Sequence, residues 1–363
     1  MDLALPVVGI DVSKATLDAH WGSQKGKRWH LRVSNTTEGL AQLQQWIVSF
    51  HPAPVHCCLE ATGTYSDAVA IFCHDQGHRV SVIHPSKMHE FRGSEGILGK
   101  TDAMDARLIA LFGEQKRPPA WHPVSAAVSQ LKRDLDRLDE LKAMQQQERN
   151  RLENHRLDQE SRQMIQRHIT WLQEEVENWH QRLIARFTHA WRQEHEQEPH
   201  LQTSALLSAA MTSRKRKELL GIPSIDVMIQ VVGVGQLSAL RLFAIFATLQ
   251  QDNSTEHVAC YFGVVPHMYS SGTSVRGKSQ RRGGNRQART WLYPAALSSK
   301  RYDPDMAQWA KELEGRGLSK KAVTMAVMHK LLRILFGLYK HPAIYDATKA
   351  FPRHVHLVEA VAA

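Results

Sequence analysis

Cysteine is scarce, with four residues (Cys57, Cys58, Cys73 and Cys260) in a chain of 363. They show no metal-ligand spacing, and the 21 histidines are scattered with no HExxH-type pair. A disulfide scaffold and a Cys/His zinc site are therefore excluded. Cys57 and Cys58 lie in an apolar run and read as reduced core thiols of a cytosolic protein. No apolar run approaches the roughly 20 residues of a membrane span, and the first residues lack a signal-peptide pattern, so the expected location is cytoplasmic, without a membrane partner. Acidic residues are the minority charge, 36 against 46 Lys and Arg, which leaves a net +10 and a pI near 9.5. Such a surplus points to a polyanionic partner, nucleic acid first. The apolar fraction of 42% suffices for real cores, and the length favours two or three domains.

The most informative stretch runs from Lys100 to Arg107, KTDAMDAR. Thr101 is a good N-cap, acids fill the first turn, and Leu108, Ile109 and Leu111 continue a helix to Gly113. A spacing of three puts Asp102 and Asp105 on one helical face. Two further acids stand at strand ends. Residues 3–11 form an apolar run ending in Asp11, and 15–21 and 27–33 alternate as two more strands. A helix from Thr36 to about Phe50 follows, then the strand Val55–Glu60, a Gly63 turn, a helix over about 64–76 and a strand at 80–83. The order is β-β-β-α-β-α-β-α. A parallel fourth strand beside the first brings Glu60 close to Asp11. Four carboxylates in one place repel unless cations sit among them, and oxygen-only ligands suit Mg²⁺ or Mn²⁺. Two such ions can stabilise the attacking and leaving oxygens of phosphodiester chemistry.

Beyond Val128 the pattern becomes helical. Leu131, Leu135, Leu138 and Leu141 recur at spacings of three and four, and after a polar break at 154–161 so do Ile165, Ile169, Leu172, Val176, Trp179 and Leu183. This predicts two long amphipathic helices in a hairpin or an intermolecular coiled coil, with Lys142, Gln145 and Arg149 making the seam impure. Residues 193–217 read as a polar linker. The glycine turn Val231–Gly235 feeds an apolar helix over 237–249, an arrangement that can present backbone N–H groups to phosphate. Six basic residues (Arg276, Lys278, Arg281, Arg282, Arg286 and Arg289) are interleaved with glycines, which suits a nucleic-acid backbone better than a core. In the same loop Ser270, Ser271, Thr273 and Ser274 are all chemically able to attack phosphorus, given activation. Helices near 290–299, 304–314 and 319–340 close the chain.

The motifs GID (9–11), EATGTY (60–65) and KTDAMDAR (100–107) resemble the DEDD set of a RuvC-like, ribonuclease-H-type domain. In particular the chain resembles the transposases of insertion-sequence family 110, the bridge-RNA-guided recombinases, over nearly its whole length. The resemblance implies a RuvC-like mixed-sheet domain at 1–122, a coiled-coil helical segment at 123–197 and a helical transposase domain at 198–363. It implies Asp11, Glu60, Asp102 and Asp105 as catalytic metal ligands, and it picks Ser271, in SGTSVRG, as a nucleophile that holds DNA as a phosphoserine ester. It further implies a composite site between subunits of a dimer or tetramer, donor and target DNA as substrates, a structured guide RNA as partner, and a bacterial, nucleoid-associated location. Relative to that family the region before Gly233 is extended. Two rivals follow from the same residues. One is a metal-dependent RuvC-like nuclease or junction resolvase without a covalent intermediate, and the other is a non-catalytic architectural protein.

Overall fold

A computed structural model describes residues 5–24, 26, 29–52, 54–96, 101–195, 219–249, 254–271, 275–280 and 283–351. The chain divides into two units, Met1–Pro123 and Val124–Ala363.

The first unit is built on five strands: β1 (Val7–Val12), β2 (Thr16–Trp21), β3 (His30–Ser34), β4 (His56–Glu60) and β5 (Arg79–Ile83). Their order across the sheet is β3-β2-β1-β4-β5, antiparallel through the first three and parallel from β1 through β4 to β5. Strand alternation sends successive side chains to opposite faces. Val8, Ile10, Cys57 and Leu59 face one core with Leu43 and Ile47 of α1 (Thr37–Phe50) and Val69 and Cys73 of α2 (Thr64–Asp75). Val7 and Cys58 face the other, with Met88 and Phe91 of α3 (Pro85–Ser94) and Leu108, Ile109 and Phe112 of α4 (Asp102–Lys116). The expected element order holds, with α3 as an addition. Its composition gives no clean apolar stripe, so only the proline at its first position announces it.

α4 rests on β1 at very short range. A Cβ on Gly9 would lie 2.2 Å from the Ala106 carbonyl oxygen and 2.3 Å from the Ala110 nitrogen. Only a residue without a side chain lets the helix backbone settle there. The connector out of this unit is strapped to the sheet edge: the Trp121 N–H donates to the Val80 carbonyl, and the Ser81 hydroxyl to that of Pro119 at 2.7 Å.

In the second unit α5 (Ala126–Leu152) and α6 (Gln159–Glu194) form an antiparallel hairpin. Trp179 Nε1 donates to the Asp134 carbonyl, Arg186 pairs with Asp134 at 3.3 Å, and His168 meets Glu148 at 3.2 Å. Helices α7 (Pro223–Gln230), α8 (Gln236–Thr248), α9 (Thr255–Phe262), α10 (Arg286–Tyr302), α11 (Pro304–Gly315), α12 (Lys320–Lys340) and the short α13 (Ala347–Ala350) follow, with a two-stranded ribbon, β6 (Pro266–Ser271) and β7 (Val275–Gln280), between α9 and α10. Leu131, Leu135, Leu183 and Phe187 of the hairpin share one core with Leu240, Phe243 and Leu331. Asp139 of α5 also receives Arg241 of α8 and, at 3.3 Å, Gln287 of α10. The impure seam therefore has support beyond its partner helix. α12 is long and apolar enough to cross a membrane by length and composition, yet Val323, Val327, Leu331 and Leu335 are buried in that core.

Candidate active site

Four residues stand at one level across the first sheet. Asp18 is in register with Arg32 on one side and with Asp11 on the other. Ile10 is in register with Leu59, so Asp11 and Glu60 come next on adjoining strands. The strand period puts Asp11, two residues beyond Gly9, on the face that α4 covers. The N-terminus of α4 completes the group. Thr101 caps the helix by accepting from the Met104 N–H, and Asp102 and Asp105 occupy its first turn. The sequence-predicted acids are thus brought to one site by three separate elements.

Their mutual influence is registered at Asp11, whose carboxyl is pushed up to about 6 from 3.8. Burial is the first cause; the charges of Asp105, Asp102, Glu60 and Asp18 follow in that order. Cations already answer some of this charge. Arg92 of α3 makes an ion pair with Asp105, and Arg32 of β3 pairs with Asp102 at 3.2 Å. Asp18 is almost sealed, 2% exposed, and is held by His30 at 2.8 Å and by Arg32 Nε at 3.7 Å.

The donor set fits a hard divalent cation: four carboxylates, all oxygen, with Asp11 carrying a strained charge that a cation relieves. Asp11, Glu60, Asp102 and Asp105 are the residues that would hold it. Among the described residues no three acidic, histidine or cysteine side chains form a ready-made coordination shell. The Arg92 and Arg32 guanidinium groups supply the counter-charge instead.

Three members of this site escape a reading of the sequence: Asp18, Arg32 and Arg92. Asp18 carries one signal, an acid in the middle of a strand that pairs with a strand whose next-to-last residue is an acid. The two arginines carried none, because their partners lie on other elements.

The second predicted centre lies on the ribbon. Ser271 ends β6 in register with Val275, and Ser270 is in register with Arg276, Met268 with Lys278. The stretch expected as a basic loop is therefore paired strand on both sides of 272–274. The stretch is rich in Ser, Gly and Arg and shows no apolar alternation, so a strand period is not visible in the sequence. Thr273, Ser274, Arg281 and Arg282 lie outside the described residues. Arg286 is exposed on the first turn of α10. Arg289 is half-buried, and its Nη1 donates to the carbonyls of Phe262 and Gly283 at 3.1 and 2.7 Å. It thereby ties the base of the ribbon to the end of α9. Gly263 and Gly284, both with positive φ, allow these backbones to touch: a Cβ on Gly284 would lie 2.5 Å from the Gly263 nitrogen. Asn285 completes the junction, its N–H donating to the Tyr261 carbonyl at 2.7 Å and its side-chain amide to the Tyr261 hydroxyl at 2.9 Å.

Comparison with known proteins bears on both centres. Residues 8–160 match a family model described as a transposase, of the DEDD type of IS110. Residues 226–310 match a second, described as the transposase IS116/IS110/IS902 family. The chain is 28% identical over 344 residues to the pilin gene-inverting protein of Moraxella bovis, an alignment covering 93% of this chain and 97% of that protein. It is 26% identical over the same shares to the pilin gene-inverting protein of Moraxella lacunata. It is also 26% identical over 125 residues to the insertion element IS110 uncharacterized 43.6 kDa protein of Streptomyces coelicolor, covering 34% of this chain and 31% of that one.

Proposed function

The chain belongs to the IS110 family of transposases and is a DNA recombinase; on that premise we propose that it cleaves and rejoins strands through Ser271, assisted by divalent cations held by Asp11, Glu60, Asp102 and Asp105. The observation that carries the metal half is the convergence of Asp11, Glu60 and the acidic first turn of α4 on one site, where burial first and then the charges of Asp105, Asp102 and Glu60 push the Asp11 carboxyl up. Buried carboxylates that share a site are raised in this way at functional centres. When bound, Mg²⁺ or Mn²⁺ supplies Lewis-acid stabilisation of the attacking and leaving oxygens of a phosphodiester.

The protein's own groups do the rest. The Ser271 oxygen forms a bond to phosphorus while the bond to one deoxyribose oxygen breaks, and that oxygen takes up the proton. The number of phosphoester bonds is unchanged, so a new strand can be joined by the reverse step without an external energy source. Arg276, Lys278, Arg281, Arg282 and Arg286 hold backbone phosphates near the serine, and Arg289 fixes the base of the ribbon that carries it. The proposed first domain, 1–122, is a RuvC-like, ribonuclease-H-type fold, a reading its β3-β2-β1-β4-β5 sheet supports. In the proposed division of the rest, the segment at 123–197 is a coiled-coil arm joining protomers, and 198–363 is the serine-bearing domain.

Two relatives named for gene inversion support recombination between two DNA sites, donor and target, as the reaction. Two chemical steps on two duplexes need several active centres, so the working form is a dimer or tetramer. A structured RNA guides it to its sites, and the net charge of +10 suits both nucleic acids.

Asp105→Asn tests the reading, because the amide keeps the shape of the side chain and loses its charge. The variant should bind DNA bearing the element's ends and neither cut nor join it. Full recombination by that variant, or by the wild type in excess chelator, would refute the metal role.

A further inference from the structure

Two guanidinium groups stand where a phosphodiester site calls for metal. Arg92 lies in the last turn of α3 and pairs with Asp105, which is 9% exposed; the Arg92 side chain itself is only a quarter exposed. Arg32 bridges two acids, with Nε towards the sealed Asp18 at 3.7 Å and Nη2 on Asp102 at 3.2 Å, and it also donates to the Thr16 hydroxyl at 3.5 Å. The two pairs differ in character. Asp102 and Arg32 are both more than half exposed, so water competes and the pair exchanges readily. Asp105 and Arg92 are largely withdrawn from water and hold each other more firmly.

A carboxylate can be neutralised by a guanidinium or shared with a divalent cation, and each choice weakens the other. Guanidinium forks also bind phosphate oxygens in a bidentate fashion, so a DNA backbone reaching this face offers both arginines an alternative partner. We propose that Arg92 and Arg32 are exchangeable counter-ions of the acid cluster: they neutralise Asp105 and Asp102 until DNA arrives, then move to its phosphates and release the two carboxylates to divalent cations. This rests on the metal role proposed above for the four acids. Its consequence is thermodynamic. Because DNA removes the competitor of the metal, DNA and metal strengthen each other's binding by the same factor. The recombinase then acquires its cations together with its substrate, and free protein is a poor nuclease.

The test is Mn²⁺ binding by the full chain, followed by the loss of the free-ion paramagnetic resonance signal, with and without a short DNA duplex. The wild type should bind Mn²⁺ weakly alone and about tenfold more tightly with the duplex, a coupling of ordinary size. Arg92→Gln should bind tightly without DNA and gain little from it. Arg32→Gln should shift the same way by less, and it serves as the second reading should Arg92→Gln fold poorly. Asp105→Asn should lose binding in both conditions. Unchanged or weaker Mn²⁺ affinity in the two arginine variants, with Asp105→Asn still defective, overturns the exchange and leaves the acid site standing. No Mn²⁺ binding by any form, with or without DNA, overturns the acid site and the exchange with it.

Discussion

Asp11 and Asp18 are direct antiparallel partners across β1 and β2, yet they sit in opposite electrostatic surroundings. Asp18 is sealed beneath His30 and Arg32, while Asp11 looks onto Glu60, Asp102 and Asp105. One acid is answered by cations, and the other is raised first by burial and then by its acidic neighbours. The first consequence is that Asp11 opposes folding whenever it is ionised.

Replacing Asp11 by Asn should therefore stabilise the protein. A carboxyl raised from 3.8 to about 6 favours the folded state fully below its unfolded value and loses that advantage as pH rises through about 6. At pH 8, in chelator, the variant should be more stable by about 1–2 kcal/mol, solvent screening removing part of the effect at a half-buried carboxyl, and below pH 3.8 the difference should vanish. Thermal melts of both forms across pH check this. A variant that melts lower than the wild type at pH 8 would show that Asp11 is not under strain.

What the sequence discloses about this site and what it hides follow one physical line. Asp11, Glu60, Asp102 and Asp105 are legible because each lies within a residue of a strand's end or in the first turn of a helix, where period and cap signals are strongest. The register that sets Asp18 beside Asp11 depends on how the β1–β2 turn closes, and no local pattern states it. Arg32 and Asp102 meet only because α4 folds back over β1, a contact between residues 70 apart in sequence. The eight-residue helices α7 and α9 leave no sequence signal because two turns display too little periodicity. Gly283 and Gly284, interleaved with the basic residues, suggest phosphate contact. In the structure Gly263 and Gly284 allow α9 and the start of α10 to meet.

Gly9→Ala tests whether the acids depend on the close seat of α4. The new methyl group has backbone atoms of Ala106 and Ala110 in its way, and neither can rotate aside as a side chain would. The helix must lift from β1, carrying Asp102 and Asp105 away from Asp11. The expected cost is about 1–3 kcal/mol of stability, as for other overpacked cores. Strand cleavage should fall much further than the fraction folded does. Cleavage that simply tracks the folded fraction would mean that the separation of α4 from β1 is not critical.

His56 gives the first unit an acid limit. It is 2% exposed, and its Nε2 shares a hydrogen bond of 2.7 Å with Ser81, whose hydroxyl donates to the Pro119 carbonyl. Burial, with Arg79 and Arg117 nearby, lowers its pKa from 6.5 to about 4. The stability contributed by the neutral ring is complete above 6.5 and is lost as pH falls towards 4. The loss amounts to about 3 kcal/mol over that window. His56→Gln can still donate to Ser81 and has no proton to take up, so its stability should decline less steeply between pH 6.5 and 4. Parallel profiles for the two proteins would place the acid sensitivity elsewhere.

The decisive prediction separates a recombinase from a nuclease. With Ser271 as the nucleophile, Ser271→Ala removes the atom that carries the ester, and cleavage should drop to background. DNA binding should survive, because the basic residues of the ribbon and of α10 remain and a single hydroxyl contributes only about 0.5–1.5 kcal/mol as a hydrogen-bonding group. Ser271→Cys should form adduct slowly, a thiolate being nucleophilic but longer in its bonds. In a nuclease that uses the four acids and water alone, the alanine variant keeps most of its cleavage. An architectural protein cuts nothing in any form. Labelled DNA incubated with the wild type, Ser271→Ala or Ser274→Ala and run on a denaturing gel distinguishes all of these. A slow-migrating adduct lost only with Ser271→Ala confirms the assignment. Loss only with Ser274→Ala moves the nucleophile three residues along the chain, and efficient cleavage without any adduct replaces the covalent mechanism with hydrolysis.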